Sequence, residues 1–147
     1  MRRIRIFLIL CVIATGFCFG QLPHTFTQYT SEDGLSQNTI MSILQDDKGV
    51  MWFATWDGLY KFDGYTFNNY KAHPGDSIGL SNNRLDNIKE DRYGYIWVQS
   101  YNHQVYRFNP RLERFQAIPY DNYLSLDMYV LPCGDVWIIT VQNELIH

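Results

Sequence analysis

Short stretches of this sequence recur at a spacing near 45 residues, which confines the chain to architectures built from repeated units. Leu35-Ser36-Gln37-Asn38 returns as Leu80-Ser81-Asn82-Asn83, Asp46 and Gly49 return as Asp91 and Gly94, and Trp52 returns as Trp97. Leu59-Tyr60-Lys61-Phe62-Asp63 returns as Val105-Tyr106-Arg107-Phe108-Asn109, with one residue inserted. Phe26-x-x-Tyr29 returns as Phe67-x-x-Tyr70 and, more faintly, as Phe115-x-x-Ile118. A third copy starts near Tyr123, carries Gly134-x-x-Trp137 and runs to His147.

Within a copy the pattern is that of strands. The run from Ile40 to Gln45 is short and apolar on alternate and adjacent positions, as for a strand buried on both faces. Asp46-Asp47-Lys48-Gly49 follows, with Asp and Gly at the first and fourth positions of a type I turn. Val50 to Trp56 is rich in aromatic and β-branched residues, and Asp57-Gly58 has the composition of a two-residue hairpin turn. Leu59 to Phe62 gives a third strand, Asp63-Gly64 a second such turn, and Tyr65 to Tyr70 a fourth strand. No segment shows ten or more residues of helical period.

Each copy of about 40–48 residues therefore reads as a four-stranded antiparallel meander, the signature of a β-propeller blade in an all-β chain. Blade one is expected at about 39–70, blade two at about 84–119, and blade three at about 126–147, cut short: two full blades and part of a third. Residues 25–29 look like a fourth strand with no first strand before it, and are expected to close a ring as the last strand of another blade. A ring needs at least four blades. On that count the 147 residues are expected to be a fragment, a truncated reading frame or a partial gene model, and to fold poorly alone.

The start of the chain has a different character. Arg2, Arg3 and Arg5 precede a nearly unbroken apolar run from Ile6 to Phe19, and Gly20 supplies a small residue before Gln21. This is the layout of a secretory signal peptide over residues 1–20. The competing reading is an uncleaved anchor, for which the run is short against the roughly 17–25 residues a span needs. A lipoprotein reading through Cys18 conflicts with the bulk of Phe17 before it. Residues 21–147 would then carry 9 basic and 15 acidic side chains, since 3 of the 12 basic ones lie in the leader. That balance excludes a nucleic-acid surface. It would also leave Cys133 as the lone cysteine, so export would not depend on a disulfide. A composition of 9 Phe, 4 Trp and 11 Tyr argues against disorder.

A resemblance enters at blade one. Phe26-x-x-Tyr29-x-x-x-Asp33-Gly34-Leu35-Ser36-x-Asn38, then Ile43-Leu44-Gln45-Asp46-x-x-Gly49-x-Met51-Trp52-Phe53-x-Thr55-x-x-Gly58-Leu59-x-x-Phe62-Asp63-Gly64, resembles the two-component regulator propeller repeat. The order of leader, Asp-Gly-Leu-Ser and first blade is similar to the start of Bacteroidetes hybrid two-component sensor histidine kinases. The resemblance covers about residues 24–147 and departs at Gln99-Ser100-Tyr101-Asn102-His103-Gln104 and at Pro132-Cys133. It implies a periplasmic sensor segment that detects oligosaccharides and so regulates polysaccharide-utilisation genes. It also implies that the rest of the propeller and a dimeric kinase lie elsewhere in the full-length protein, with membrane attachment through that other part. No catalysis is expected in this chain. The rival readings are a secreted propeller without a kinase, acting as a glycan-binding or protein-docking module, and a propeller hydrolase or lyase.

Other motifs are weak. Asp47-x-Gly49-x-x-Trp52 is half of an Asp-box, but Arg92 and Pro132 stand at its Asp position in the other copies. The Trp56-Asp57 dipeptide becomes Tyr101-Asn102, which argues against a WD repeat. His24, His73, His103 and His147 share no metal-ligand spacing, and neither a metal nor a cofactor is implied. Trp52, Trp97 and Trp137 are expected to pack between blades, and Asp46 and Asp91 to form turns before they act as acids. The candidate ligand residues lie in loops that differ between copies and share one propeller face: Trp56, Asp57, Arg84, Tyr101 and His103. Flat rings can stack on sugars, and charged or amide groups can bond hydroxyls. The competing reading for each is an ordinary solvated loop residue.

Overall fold

The computed structural model describes residues 25–73, 75, 79–119 and 124–147. The expected leader at 1–20 and His24 lie outside them. Among the described residues, a 3-10 turn at Ser31–Asp33 is followed by eleven strands: β1 (Ile40–Gln45), β2 (Met51–Thr55), β3 (Gly58–Phe62), β4 (Phe67–Tyr70), β5 (Leu85–Glu90), β6 (Ile96–Ser100), β7 (Val105–Asn109), β8 (Arg114–Ala117), β9 (Ser125–Val130), β10 (Val136–Thr140) and β11 (Leu145–Ile146). They form three antiparallel sheets, ordered β1-β2-β3-β4, β5-β6-β7-β8 and β9-β10-β11. The chain is all-β and made of propeller blades, two of four strands and one of three among the described residues.

The turn between first and second strands is the same in all three blades. Gly49, Gly94 and Gly134 take φ of +82°, +79° and +97°, and each N–H closes on the carbonyl three residues back, of Asp46, Asp91 and Leu131. This is a type I turn followed by a left-handed residue, the three-residue hairpin whose twist suits antiparallel strands. In the first two blades the Asp side chain reinforces it. Asp46 Oδ1 accepts from Lys48 N and Val50 N, and Asp91 Oδ1 from Tyr93 N and Tyr95 N.

The loop between second and third strands differs from expectation. In blade one Thr55 pairs with Gly58, so the two loop residues are Trp56 and Asp57, and Gly58 opens β3. Gly58 sits at φ +111°, and a Cβ there would lie 2.5 Å from the Tyr70 carbonyl oxygen. Glycine is thus required by the close approach of β4 as well as by the turn. Blade two inserts one residue, and His103 takes the left-handed position at φ +65°. Asn143 does the same in blade three at φ +62°. The second expected hairpin turn is also corrected. Phe62 pairs with Phe67 across four loop residues, because Asp63 Oδ1 accepts from both Tyr65 N and Thr66 N and holds them out of the strand.

Blades stack through their tryptophans. Trp52 is fully buried and meets Phe108 of blade two edge-on, with ring centroids 5.6 Å apart. Leu59, Leu85, Ile88, Ile96, Val98 and Tyr106 complete that inter-blade core. Trp97 packs on a second, smaller cluster of Val105, Met128 and Ile138 between blades two and three. One expectation fails here. The strand β1 is not buried on both faces: Met41 is 48% and Ile43 59% exposed, since blade two covers one side and no described residue covers the other. Residues 25–29 pair with none of the strands of these three sheets, and the blade they are expected to complete is not among them. Tyr29 instead lies edge-on to Phe62 and Phe67.

Candidate functional site

The segments entering blades one and two are tied down by their Leu-Ser pairs. Leu35 and Leu80 are buried. Ser36 Oγ bonds the Tyr60 hydroxyl and Asp57 Oδ2, the latter at 2.8 Å. In blade two Ser81 Oγ bonds the Tyr106 hydroxyl at 2.7 Å and accepts from Asn102 Nδ2 at 3.2 Å. The repeated Ser, Tyr and Asp/Asn positions are one lock, used twice. Sequence reasoning quoted all of these residues but did not connect them; their shared recurrence was the available signal.

That lock places Asp57 in a structural setting. Besides Ser36 it pairs with Lys71 Nζ at 2.6 Å. Burial pushes its carboxyl upward, but hydrogen bonds from Lys71 and Ser36 and the lysine's charge outweigh this and hold it below the usual carboxylate range.

Arg84, Trp56 and Tyr101 come together. The Arg84 backbone is fixed by Asn82 Oδ1, which accepts its N–H at 2.8 Å, and by Tyr101 N, which donates to its carbonyl at 2.8 Å. Its guanidinium carbon then lies 4.1 Å from the Trp56 ring centre and 3.9 Å from that of Tyr101. A guanidinium facing two rings in this way gains on the order of 0.5–2 kcal/mol per contact. The rings belong to different blades, so this stack bridges them on the loop face. Both keep open surface, Trp56 at 41% and Tyr101 at 52% exposure. Thr39 and Leu124 make the backbone contact equivalent to that of Arg84 in the other blades, so the cation is peculiar to blade two.

The guanidinium is poorly satisfied. Its Nε is buried without a hydrogen-bond partner, and no carboxylate lies within ion-pair distance among the described residues. The nearby acid is Asp86, which sequence reasoning missed. It occupies the bulge of β5, between Leu85 and Asn87, where pairing with β6 slips. Bulges re-aim side chains, and Met41 and Leu126 sit at the same point of β1 and β9. Burial raises the Asp86 carboxyl, partly offset by the charges of Arg84 and His103. His103 Nδ1 lies 2.8 Å from the Ser125 carbonyl oxygen, which ties it to blade three. Of the five candidates, Trp56, Arg84 and Tyr101 thus form one unit, His103 stands beside it through Asp86, and Asp57 faces the Ser36–Lys71 side.

Two clefts lie elsewhere. One of about 390 Å³ runs between β4 and β8, with Lys71, His73, Glu113 and Arg114 on its walls. Another of about 410 Å³ is lined by Tyr93, Tyr95, Asn109 and Arg111. No helix among the described residues is long and apolar enough to cross a membrane.

Comparison with known proteins agrees with this architecture. Residues 34–57 match the family model described as two component regulator propeller. A stretch of 56 residues is 48% identical to histidine kinase P4 of Formosa agariphila, covering 38% of this chain and 4% of that protein. Among solved structures, the extracellular domain of a putative hybrid two-component system from B. thetaiotaomicron superposes with a TM-score of 0.67 at 24% identity, over 85% of this chain and 20% of that one. A second such domain from the same organism gives 0.53 at 24% identity, over 76% and 17%. The chain therefore spans a small part of the length of the proteins it matches. The matched repeat lies at the start of blade one, and the sheet geometry of that blade is repeated in the next, so the chain is similar to the two-component regulator propellers in this stretch and in its fold.

Proposed function

We propose that this chain is the ligand-sensing propeller segment of a hybrid two-component sensor histidine kinase, working outside the cytoplasm and recognising an oligosaccharide on the face that carries Trp56, Arg84 and Tyr101. The observation that supports it is the inter-blade stack: two partly exposed rings held at fixed positions around a cation, on the face of variable loops. Exposed rings bind the apolar faces of sugars, and the amide and charged groups at the rim bond hydroxyls. The segment acts by binding, not by chemistry. Because the stack joins blades one and two and His103 joins two and three, a ligand seated there can favour one blade packing over another. Only such a differential affinity shifts a signalling equilibrium. The kinase, its dimerisation and the regulation of polysaccharide-utilisation genes belong to the full-length protein.

The test is a binding screen of the full-length protein against a broad oligosaccharide panel, read by calorimetry, with Trp56→Ala and Tyr101→Ala as controls. A saccharide that binds the parent and loses about tenfold or more in affinity with either variant supports the reading. Failure of every saccharide to bind, or binding indifferent to both variants, overturns it. A secreted glycan-binding propeller without a kinase would bind equally well but show no ligand-dependent autophosphorylation.

A further inference from the structure

We propose that the saccharide recognised at this face is acidic, and that Arg84 takes its oxyanion, a uronate carboxylate or a sulfate ester, on the open edge of the guanidinium. This rests on the oligosaccharide reading above and narrows it. The Arg84 guanidinium carbon lies over two rings, 4.1 Å from the Trp56 centre and 3.9 Å from that of Tyr101. Its N–H groups are left over: among the described residues the side chain donates no hydrogen bond, and only Nε of its nitrogens is both buried and unpartnered. The terminal nitrogens are not among the buried unpartnered atoms, so among the described residues their N–H groups remain available to a ligand. A planar fork of this kind matches two oxygens of a carboxylate or sulfate, and its rigid seat means little ordering is lost on binding. An uncharged sugar would leave the same fork half used.

Asp86 sets the opposing charge. It lies near enough to feel Arg84 and His103, yet outside ion-pair distance of Arg84, so it does not fill the fork. Its negative charge works against an incoming oxyanion, and removing that charge strengthens binding if the proposal holds. Lys71, the other cation near these loops, is already paired with Asp57.

The experiment measures affinity of the full-length protein for three probes: oligogalacturonates, sulfated galactan oligosaccharides without carboxylates, and uncharged galacto-oligosaccharides. The expected result is binding of a charged probe, about tenfold weaker in Arg84→Gln and also weaker in Arg84→Lys, which keeps the charge but not the fork. Asp86→Asn is expected to tighten the same probe by a few fold. Which charged probe binds distinguishes carboxylate from sulfate. Circular dichroism melts of each variant separate lost binding from lost folding. Uncharged saccharides binding as tightly as charged ones, or Arg84→Gln and Asp86→Asn both leaving the charged probe unchanged, overturns the proposal while the broader reading stands. Absence of binding by all three probes overturns the proposal as well, and the broad panel then decides the fate of the oligosaccharide reading.

Discussion

Asp46 Oδ2 accepts the indole Nε1–H of Trp52 at 2.9 Å, and Asp91 repeats the bond to Trp97 at 2.8 Å. One carboxylate thus shapes a hairpin turn with one oxygen and orients the inter-blade tryptophan with the other. Blade three has Leu131 at this position, and Trp137 instead stacks on His147 at 4.3 Å. Asp91 is buried, so its removal leaves Tyr93 N, Tyr95 N and Trp97 Nε1 without their acceptor. Asp91→Ala is expected to cost about 2–4 kcal/mol in urea unfolding, and Asp91→Asn distinctly less. Equal costs for the two would show that the acceptor geometry does not matter.

Two glycines with similar backbone angles should respond very differently. Gly64 is at φ +99° with no atom within 4 Å of a built Cβ, whereas Gly58 at φ +111° would press a Cβ onto the Tyr70 carbonyl. Gly64→Ala should cost about 1–2 kcal/mol of left-handed strain. Gly58→Ala should cost more than about 3 kcal/mol, since a strand must move. Thermal melts of the two variants side by side check the order.

The Leu-Ser lock makes a symmetric prediction. Tyr60→Phe and Tyr106→Phe each remove one hydroxyl that a serine meets, without changing the packing of the ring. Each should lose about 0.5–1.5 kcal/mol. A double-mutant cycle of Tyr106→Phe with Ser81→Ala should show coupling, and additive losses would dissolve the lock.

Stability should depend on pH in opposite senses at two carboxylates. The Glu90 carboxyl is raised by burial and by the charges of Asp47, Asp46 and Asp91, although it accepts Asp47 N at 2.9 Å. A carboxylate with a raised folded pKa weakens the fold when ionised. Glu90→Gln, which keeps an acceptor, should therefore stabilise at neutral pH by under about 1 kcal/mol, and the difference should vanish as pH falls through the raised pKa. Asp57 is held low, so its contribution is present above the ordinary carboxylate range and lost as pH falls through its depressed value. Melts of the parent, Glu90→Gln and Asp57→Asn between about pH 3 and 7 report both signs. Curves that stay parallel would contradict the two assignments.

Much of the architecture is written in local chemistry. The Asp-x-x-Gly turns, the aromatic second strands and the recurrence of Leu-Ser, Trp and Tyr-x-Phe specify a repeated antiparallel meander, because turn residues and side-chain alternation act over a few neighbours. The loop composition also pointed to Trp56, Arg84 and Tyr101 as residues of one face. What local pattern misjudged were the places where distant chain intrudes. Asp57-Gly58 has hairpin composition, yet the turn falls one residue earlier, because Gly58 must pass beneath the Tyr70 carbonyl and donate its N–H to Asn83 O. Burial of β1 could not be read from its own residues, since it depends on which sheets stand beside it.

The sequence by itself determined that the chain is a series of β meanders, where the turn between first and second strands lies, and that Trp52 and Trp97 pack between blades, for these follow from propensities and periodicities carried by each repeat; Trp137, expected to do the same, stacks on His147 instead. Only the tertiary structure decided that Arg84 stands between Trp56 and Tyr101, that Asp86 is the bulged residue beside it, and that Asp57 belongs to the Ser36–Lys71 contacts. These are meetings of residues from separate strands and separate blades. Their distances are set by inter-blade packing and strand register, which no single repeat encodes.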